Sequence, residues 1–231
     1  MTLKRKKQEM ARKKPALDKA AREMVEDFEP RTENQKNYIV TMCENDITLC
    51  IGNPGSGKTF CSVGLACSYL YNNQVEKLIF SRPMVGCGKG IAALPGSVFE
   101  KIEPYFAPIV DCLEHFLGKE QYKKLLQSET IEFKPLELMR GMSLKNTFLI
   151  LDEASNAEMH QLKMLLTRLD YGSKFVLNGD YKQSDLRHCD FEDAVNKLKA
   201  KSIKGLGFCE LTEEDVQRPK LINSIMRALE E

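Results

Sequence analysis

The chain has 231 residues, enough for one large domain or for a domain with short appendages. Hydrophobic residues make up 42% and charged residues 29% of it, which is typical of a globular protein with an apolar core. No apolar run approaches the roughly 18 residues of a membrane span, and no apolar segment follows the basic N-terminus as in a secretory signal. The eight cysteines include no C-x-x-C pair, so we expect reduced thiols in a cytoplasmic protein.

Charge is distributed unevenly along the chain. The net charge is +1, but residues 1–20 alone carry +6 and the remainder carries −5. We therefore divide the sequence into a basic arm, residues 1–28, partly helical or disordered, and one folded domain, residues 29–231. The basic charge of the arm suits contact with nucleic acid phosphates. The arm has no aromatic residues interleaved for base stacking, so a solvated tail remains the alternative.

From residue 30 onward, short apolar runs alternate with longer stretches of helical periodicity. Helices are predicted over 12–28, 32–44 with Thr32 as N-cap, Thr59–Leu70, most of 97–127, Glu158–Leu169, Phe191–Leu198 and Pro219–Leu229. Strands are predicted over Ile47–Ile51, Leu78–Phe80, Phe148–Leu151, Lys174–Leu177 and Gly207–Leu211. Pro104, Pro108 and Gly118 interrupt the third helical region, and 86–96 is a glycine-rich loop. This alternation predicts an α/β fold with a mostly parallel sheet covered on both faces.

One segment matches the phosphate-binding pattern G-x-x-x-x-G-K-[ST] and lies between a predicted strand and a predicted helix. Its glycines allow a tight wrap with N–H groups pointing inward, and the helix adds its positive N-terminal end. The lysine is expected to reach the β- and γ-phosphates of ATP, and the threonine hydroxyl to bind Mg²⁺. The predicted nucleotide-binding loop is Gly52, Asn53, Pro54, Gly55, Ser56, Gly57, Lys58 and Thr59.

A second motif is the apolar strand Phe148–Leu151, which ends in Asp152 and Glu153. Beside a phosphate-binding loop, an aspartate at a strand end is expected to hold Mg²⁺, usually through water. A neighbouring glutamate can orient or deprotonate the attacking water. The pair therefore favours hydrolysis over simple retention of the nucleotide. Further along, Gln183 follows the strand Lys174–Leu177 and is a candidate contact for the γ-phosphate or the attacking water. Without the other motifs, an ordinary Gly-Asp turn would be the favoured interpretation of this segment.

The order and spacing of these motifs resemble the phosphate-starvation-inducible PhoH-like ATPases, single-core relatives of superfamily 1 helicases. The resemblance runs from about Arg31 to Leu229. It is carried by Arg31-Thr32-Glu33-Asn34-Gln35, the phosphate loop, Arg82-Pro83, Leu94-Pro95-Gly96, Glu100–Tyr105, Pro135-Leu136, Met139-Arg140-Gly141, Asp152–Asn156, Thr167-Arg168, Gly179–Gln183 and Asp215–Arg218. Ser155 departs from the family, which usually has glutamine there. The resemblance implies a P-loop NTPase of RecA type, a three-layer α/β/α sandwich.

The resemblance also implies roles for individual residues. Gln35 is similar to the adenine-reading glutamine of the helicase Q motif, although a lone helical glutamine would otherwise be placed on the surface. Gln183 is similar to the γ-phosphate sensor of superfamily 1. Arg82 lies where related helicases contact single-stranded nucleic acid, or else it caps a strand before Pro83.

Arg218 matches the family's late arginine. Related helicases close their site with an arginine from a second core domain, for which this chain has no room. We therefore expect Arg218 to act as an arginine finger in trans across a homo-oligomer such as a ring. The alternative is a surface arginine near the start of a helix.

These residues predict a Mg²⁺-dependent ATPase with Lys58, Asp152, Glu153, Gln183 and Arg218 as catalytic residues, and with Thr59 and Asp152 on the metal. Its turnover is expected to be coupled to RNA or single-stranded DNA. One alternative is a slow nucleotide-gated switch that engages a protein partner. Another is a small-molecule kinase, which is disfavoured because the cysteine spacing offers no zinc-stabilised lasso.

Overall fold

The computed structural model describes residues 28–84, 102–181, 184–185, 188–216 and 225. The expected arm, the loop 86–96 and the helix Pro219–Leu229 lie wholly or almost wholly outside these ranges. Gln183 and Arg218 lie outside them as well.

Helices and strands alternate through the described residues. The helices are α1 (Glu33–Glu44), α2 (Lys58–Tyr71), α3 (Ala107–Leu117), α4 (Lys119–Gln127), α5 (Met159–Leu166) and α6 (Asp190–Lys199). The strands are β1 (Ile47–Gly52), β2 (Lys77–Arg82), β3 (Ile131–Pro135), β4 (Thr147–Leu151), β5 (Lys174–Gly179) and β6 (Leu206–Leu211). Short 3₁₀ turns cover Glu103–Phe106, Leu136–Met139, Ala154–Asn156 and Glu213–Asp215.

The six strands form one sheet in the order β3-β2-β4-β5-β1-β6, and every neighbouring pair is parallel. Parallel strands need crossover connections, and the helices supply them on both faces. The expected parallel α/β sheet is confirmed. Because all carboxyl ends lie at one edge, the segments that follow the strands converge there.

Two apolar cores lie on opposite faces of the sheet, because successive strand residues point to opposite sides. Cys50, Phe80 and Ile150 pack with residues of α1 to α4 on one face. Leu49 and Leu149 pack with residues of α5 and α6 on the other. This arrangement is the expected three-layer sandwich. The cysteines within the described ranges are free thiols, and Cys50, Cys61 and Cys67 are buried.

β3 is a strand that the sequence analysis missed. Its residues alternate between buried and partly exposed along Ile131–Pro135, which is the pattern of an edge strand. Ile131 pairs with Leu78, and Phe133 stacks on Phe80 with ring centroids 5.5 Å apart. The run is short and contains Glu132 and Lys134, so it lacks the continuous apolar stretch by which the central strands were predicted.

Most of the predicted boundaries agree with the structure within a few residues. The Thr32 hydroxyl accepts a hydrogen bond from the backbone N–H of Gln35, which confirms it as the N-cap of α1. Gly118 separates α3 from α4, as predicted. The helix predicted to run to Leu169 is shorter, since α5 ends at Leu166. Of the helices that the structure describes, none has the length and apolar character needed to cross a membrane.

Candidate active site

The carboxyl edge of the sheet brings the predicted site residues together. The phosphate loop leaves β1, Arg82 ends β2, Asp152 follows β4, and Asp180 follows β5. After β1 the chain crosses the sheet to β2, which lies on the β5 side of β1. After β5 the chain crosses in the opposite direction to β6, although β1 and β5 are neighbours. Such a reversal between adjacent strands opens a crevice at their carboxyl ends, the usual ligand site of a parallel α/β sheet.

The phosphate loop has the backbone conformation that its glycines allow. Gly57, immediately before α2, has φ of +91° in the left-handed region, where L residues are strained. A Cβ on Gly52 would lie 2.8 Å from the carbonyl oxygen of Leu211, so only glycine fits beside β6. The Lys58 ammonium donates hydrogen bonds to the carbonyl oxygens of Gly52 and Asn53, the latter at 3.0 Å. Lys58 thus lies within the curve of the loop.

Thr59 and Asp152 meet across the crevice. The Thr59 hydroxyl donates to Oδ1 of Asp152 at 3.1 Å. The backbone N–H of Asp152 donates to the carbonyl of Ser81 at 2.9 Å and so extends the β2–β4 pairing by one residue. Burial raises the pKa of Asp152, against the opposing effects of Arg82, the Thr59 hydrogen bond and Lys58. The sheet therefore fixes a buried carboxylate beside the first turn of α2.

Glu153 lies next to it in an unusual backbone conformation. Its φ of 54° and ψ of 42° are left-handed, which costs a non-glycine residue about 1–2 kcal/mol. Its Oε1 lies 3.2 Å from Nη2 of Arg82, whose Nη1 donates to the carbonyl of Tyr105 at 2.7 Å. Burial and the neighbouring Asp152 raise the pKa of Glu153, and Arg82 and Lys58 oppose this. This ion pair was not predicted from the sequence.

Gln35 is buried against the phosphate loop, so the alternative of a surface glutamine is wrong. Its Nε2 donates to the carbonyl of Ser56 at 2.9 Å, and its Oε1 accepts from the backbone N–H of Arg31 at 2.8 Å. A primary amide has two donor hydrogens and two acceptor lone pairs. One hydrogen and one lone pair of Gln35 therefore remain for a ligand in the adjoining cavity.

A chain of buried hydrogen bonds lies beneath the loop. The Tyr38 hydroxyl donates to Oδ1 of Asn178, and Nδ2 of Asn178 donates to the Ser62 hydroxyl at 3.1 Å. Ser62 in turn donates to the carbonyl of Lys58 at 2.9 Å. These contacts connect α1, β5 and the start of α2. Asn178 was missed at the sequence level, although a polar residue within an apolar strand was an available signal.

Ser155, the departure from the family pattern, has a structural contact. Its buried hydroxyl accepts from the backbone N–H of Asp180 at 3.2 Å. The Ser155 carbonyl accepts from the Ser184 hydroxyl at 2.9 Å. The segment after β4 is thereby joined to the segment after β5, on which the predicted sensor Gln183 lies.

Asp215 connects the end of β6 to the start of α1. Its carboxylate accepts hydrogen bonds from the Thr32 hydroxyl, from Nδ2 of Asn34 at 3.0 Å, and from the backbone N–H of Thr212 at 2.7 Å. Burial alone would raise the pKa of Asp215, but these hydrogen bonds hold it below its ordinary value. The segment leading to Arg218 therefore begins at a fixed point beside the Gln35 region.

A cavity of about 470 Å³ adjoins these residues. Its polar lining includes Lys58, Thr59, Asp152, Glu153 and Asp180, together with Gln35, Arg31, Arg82 and Asn178. Its apolar lining includes Phe28, Phe60, Pro108 and Cys112. The rings of Phe28 and Phe60 pack edge to face with centroids 5.7 Å apart. The cavity thus offers a charged region suited to phosphates and an aromatic wall suited to a flat base.

Comparisons with known proteins agree with this arrangement. The family described as PhoH-like protein matches residues 27–230. The chain belongs to the PhoH-like family. A PhoH-like protein from Synechocystis is 40% identical over 87% of this chain and 61% of its own length. One from Bacillus subtilis is 39% identical over 86% of this chain and 62% of its own length. The chain therefore spans about three fifths of these PhoH-like relatives.

The fold of this PhoH-like chain also resembles that of a solved P-loop protein. The large terminase of a thermophilic bacteriophage superimposes with a TM-score of 0.53 over 86% of this chain and 50% of the terminase chain. The two sequences are only 15% identical, so the likeness extends to the fold alone. The expected P-loop NTPase fold and the expected family are both confirmed.

Proposed function

We propose that this PhoH-like chain is a Mg²⁺-dependent ATPase whose turnover is coupled to RNA or single-stranded DNA. The observation that carries the proposal is the contact between Thr59 and Asp152, 3.1 Å from oxygen to oxygen, on a cavity shared with Lys58 and Glu153. These are the groups that hydrolysis at a phosphate loop requires. They come from two separate motifs, and the sheet brings them together.

The oxygen atoms of Thr59 and Asp152 fit a Mg²⁺ ion, which prefers oxygen ligands and usually takes only one or two from protein carboxylates. Within the described ranges, no cluster of three or more His, Cys, Asp or Glu residues could hold a metal by itself. Thr59 and Asp152 are therefore the proposed protein ligands. When bound, Mg²⁺ would neutralise charge developing on the phosphate oxygens.

The proposed reaction is in-line attack of water on the γ-phosphorus. Glu153 accepts a proton from the water, a bond forms from the water oxygen to phosphorus, and the bond to the bridging β–γ oxygen breaks. ADP and inorganic phosphate are the products. Lys58 binds the β- and γ-phosphates, and Gln183 and Arg218 complete the proposed catalytic set. The aromatic wall and the remaining hydrogen-bonding atoms of Gln35 support adenine as the base.

Phosphate release from ATP tests this proposal when measured with Mg²⁺, with EDTA, and with single-stranded RNA or DNA. We expect turnover to require Mg²⁺ and to increase with polynucleotide. Lys58→Ala should abolish ATP binding and turnover. Glu153→Gln should keep ATP binding and lower kcat by about 10²-fold or more, the usual contribution of a general base. Wild-type protein that binds ATP without hydrolysing it would contradict the enzyme assignment.

The ion pair between Arg82 and Glu153 favours a second candidate, a slow nucleotide-gated switch that engages a protein partner. The ion pair occupies Oε1 of Glu153, so a low basal rate is expected while the pair persists. The switch is supported if Glu153→Gln retains function in cells while Lys58→Ala loses it. Loss of function in both variants would favour the ATPase.

A further inference from the structure

Arg82 is the last residue of β2, and Glu153 lies two residues beyond the end of the neighbouring parallel strand β4. Ser81 of β2 is paired with Leu151 of β4, and Arg82 and Glu153 follow within two residues of that pair. The carboxylate Oε1 and the guanidinium Nη2 are 3.2 Å apart. The other guanidinium nitrogen, Nη1, donates to the Tyr105 carbonyl. The carboxyl edge of the sheet therefore positions both residues, and the Tyr105 carbonyl holds the Arg82 guanidinium from another direction.

The charges that face Glu153 come from three strands and from the phosphate loop. Asp152 and Asp180 repel its carboxylate, while Arg82 and Lys58 attract it. The Lys58 ammonium donates to the carbonyls of Gly52 and Asn53. Arg82 is thus the cation that contacts the Glu153 carboxylate directly in the described part of the chain.

This contact opposes the role proposed for Glu153 for as long as it persists. A general base must come within about 2.6–3.2 Å of the proton that it accepts, and it needs a lone pair free to receive it. The ion pair directs Oε1 of Glu153 towards Arg82 and occupies a lone pair that would otherwise accept the proton of the water. While the pair persists, activation of water by Glu153 is disfavoured.

The guanidinium of Arg82 is accessible to a competing anion. Its side chain is 26% exposed, and that of Glu153 is 34% exposed. Guanidinium groups bind phosphate oxygens through two parallel hydrogen bonds, which makes phosphate a strong competitor for a carboxylate. A nucleic acid strand presents such phosphates at high local density.

We propose that Arg82 is a positioning residue that holds Glu153 in a resting ion pair, and that a phosphate of single-stranded nucleic acid releases Glu153 by taking over the guanidinium. The inference rests on the proposed function, in which Glu153 activates water and a polynucleotide stimulates turnover. It assigns the coupling between polynucleotide binding and water activation to Arg82, which would contact either the nucleic acid phosphate or the general base Glu153.

The test compares Arg82→Gln with wild type in the full chain, with kcat and KM for ATP measured with and without poly(U) or poly(dT). We expect Arg82→Gln to raise basal kcat about fivefold, which corresponds to about 1 kcal/mol, with an unchanged KM for ATP. Polynucleotide should no longer stimulate the variant. Arg140→Gln is the matched control, because Arg140 is exposed and does not line the cavity, and its basal kcat should equal that of wild type.

Arg82→Lys provides a second variant if Arg82→Gln fails to fold. A lysine ammonium lacks the planar fork that reaches both Glu153 and the Tyr105 carbonyl, so basal kcat should rise and part of the stimulation should remain. A basal kcat at or below wild type in the folded variants overturns the resting pair. A raised KM for ATP together with a lowered kcat also overturns it, because it would assign Arg82 to nucleotide binding.

Failure of the proposed function is distinguishable from failure of this inference. Wild-type protein without any ATP turnover contradicts the function and removes the inference with it. Wild-type protein that hydrolyses ATP, but does not respond to any polynucleotide, overturns the release step alone. In that case the basal kcat of the Arg82 variants still decides whether the resting pair exists.

Discussion

Gln35 on α1 donates a hydrogen bond to the backbone carbonyl of Ser56 in the phosphate loop, with a nitrogen-to-oxygen distance of 2.9 Å. The same side chain accepts from the backbone N–H of Arg31. A Cβ on Gly57 would lie 2.7 Å from the Gln35 amide nitrogen, so the helix and the loop pack without a gap. A residue expected to read adenine is therefore also a support for the loop that binds phosphate.

Replacement of Gln35 by glutamate separates these two roles. The introduced carboxylate could still accept from Arg31, but it could not donate to Ser56, whose buried carbonyl would lose its partner. We expect the free energy of unfolding to fall by about 1–3 kcal/mol, the usual cost of an unsatisfied buried group. If Gln35 also reads adenine, the preference for ATP over GTP should fall as well. Chemical denaturation and the KM for each nucleotide measure the two effects.

Gln121→Glu is the control for this experiment. Gln121 is buried on α4, away from the cavity, so its replacement should lower stability without altering the ratio of ATP to GTP turnover. A Gln35 variant that loses ATP and GTP turnover equally would contradict adenine readout and leave only the structural role.

Tyr38→Phe tests the hydrogen-bond chain beneath the phosphate loop. Removing the hydroxyl leaves Oδ1 of Asn178 without its donor in a buried position. We expect the free energy of unfolding to decrease by about 1–3 kcal/mol. Tyr122 provides a matched comparison, because its buried hydroxyl has no hydrogen-bond partner among the described residues. Tyr122→Phe should therefore be neutral or stabilising. Equal losses of stability in Tyr38→Phe and Tyr122→Phe would contradict a stabilising role for the hydrogen-bond chain beneath the phosphate loop.

The predictions from sequence succeeded where one local pattern determines the structure. The glycine and lysine spacing of Gly52–Thr59 requires a strand before it and a helix after it, and β1 and α2 are there. The central strands were found because a strand buried on both faces is a continuous apolar run. Thr32 was identified because an N-cap needs a side-chain acceptor at one position.

The predictions failed where structure depends on contacts between distant segments. β3 is recognisable mainly by its pairing with β2, because two of its five residues, Glu132 and Lys134, are charged. The burial of Gln35 follows from packing against a loop 21 residues away. The ion pair of Arg82 with Glu153 arises from the order of strands in the sheet, which no local pattern contains.

Asp215→Asn should lower stability in a pH-dependent manner. The native carboxylate accepts from Thr32, Asn34 and the Thr212 backbone, and these hydrogen bonds hold its pKa below the ordinary value. An asparagine can replace only part of this acceptance, so we expect a loss of about 1.5–3 kcal/mol at pH 7. Because the folded pKa is depressed, the stabilisation is present above the unfolded pKa of about 3.9 and is lost as the pH falls through the folded value.

Urea denaturation of both proteins between pH 7 and pH 3 measures this effect. The difference in free energy of unfolding between wild type and Asp215→Asn should be constant from pH 7 to about pH 5 and should shrink below about pH 4. Asp185→Asn serves as the control, since Asp185 is exposed, and it should change stability by less than about 0.5 kcal/mol. A difference independent of pH would show that Asp215 acts through packing rather than through its charge.

Mixing two inactive variants tests whether Arg218 completes the site of a neighbouring copy. Lys58→Ala removes phosphate binding but leaves Arg218 intact, whereas Arg218→Ala removes the finger but keeps the phosphate loop. If Arg218 acts in trans, each variant alone should lose at least about 10³-fold in kcat, the usual contribution of such an arginine. A mixed oligomer then contains interfaces that combine an intact Lys58 with an intact Arg218, so ATPase activity should return in the mixture.

A dilution series provides a further check on the shared site. Because dilution separates the copies, the ATPase activity per mole of protein in the mixture should fall as the protein concentration is lowered. Full activity of Arg218→Ala alone, or a mixture as inactive as its components, would contradict the trans role.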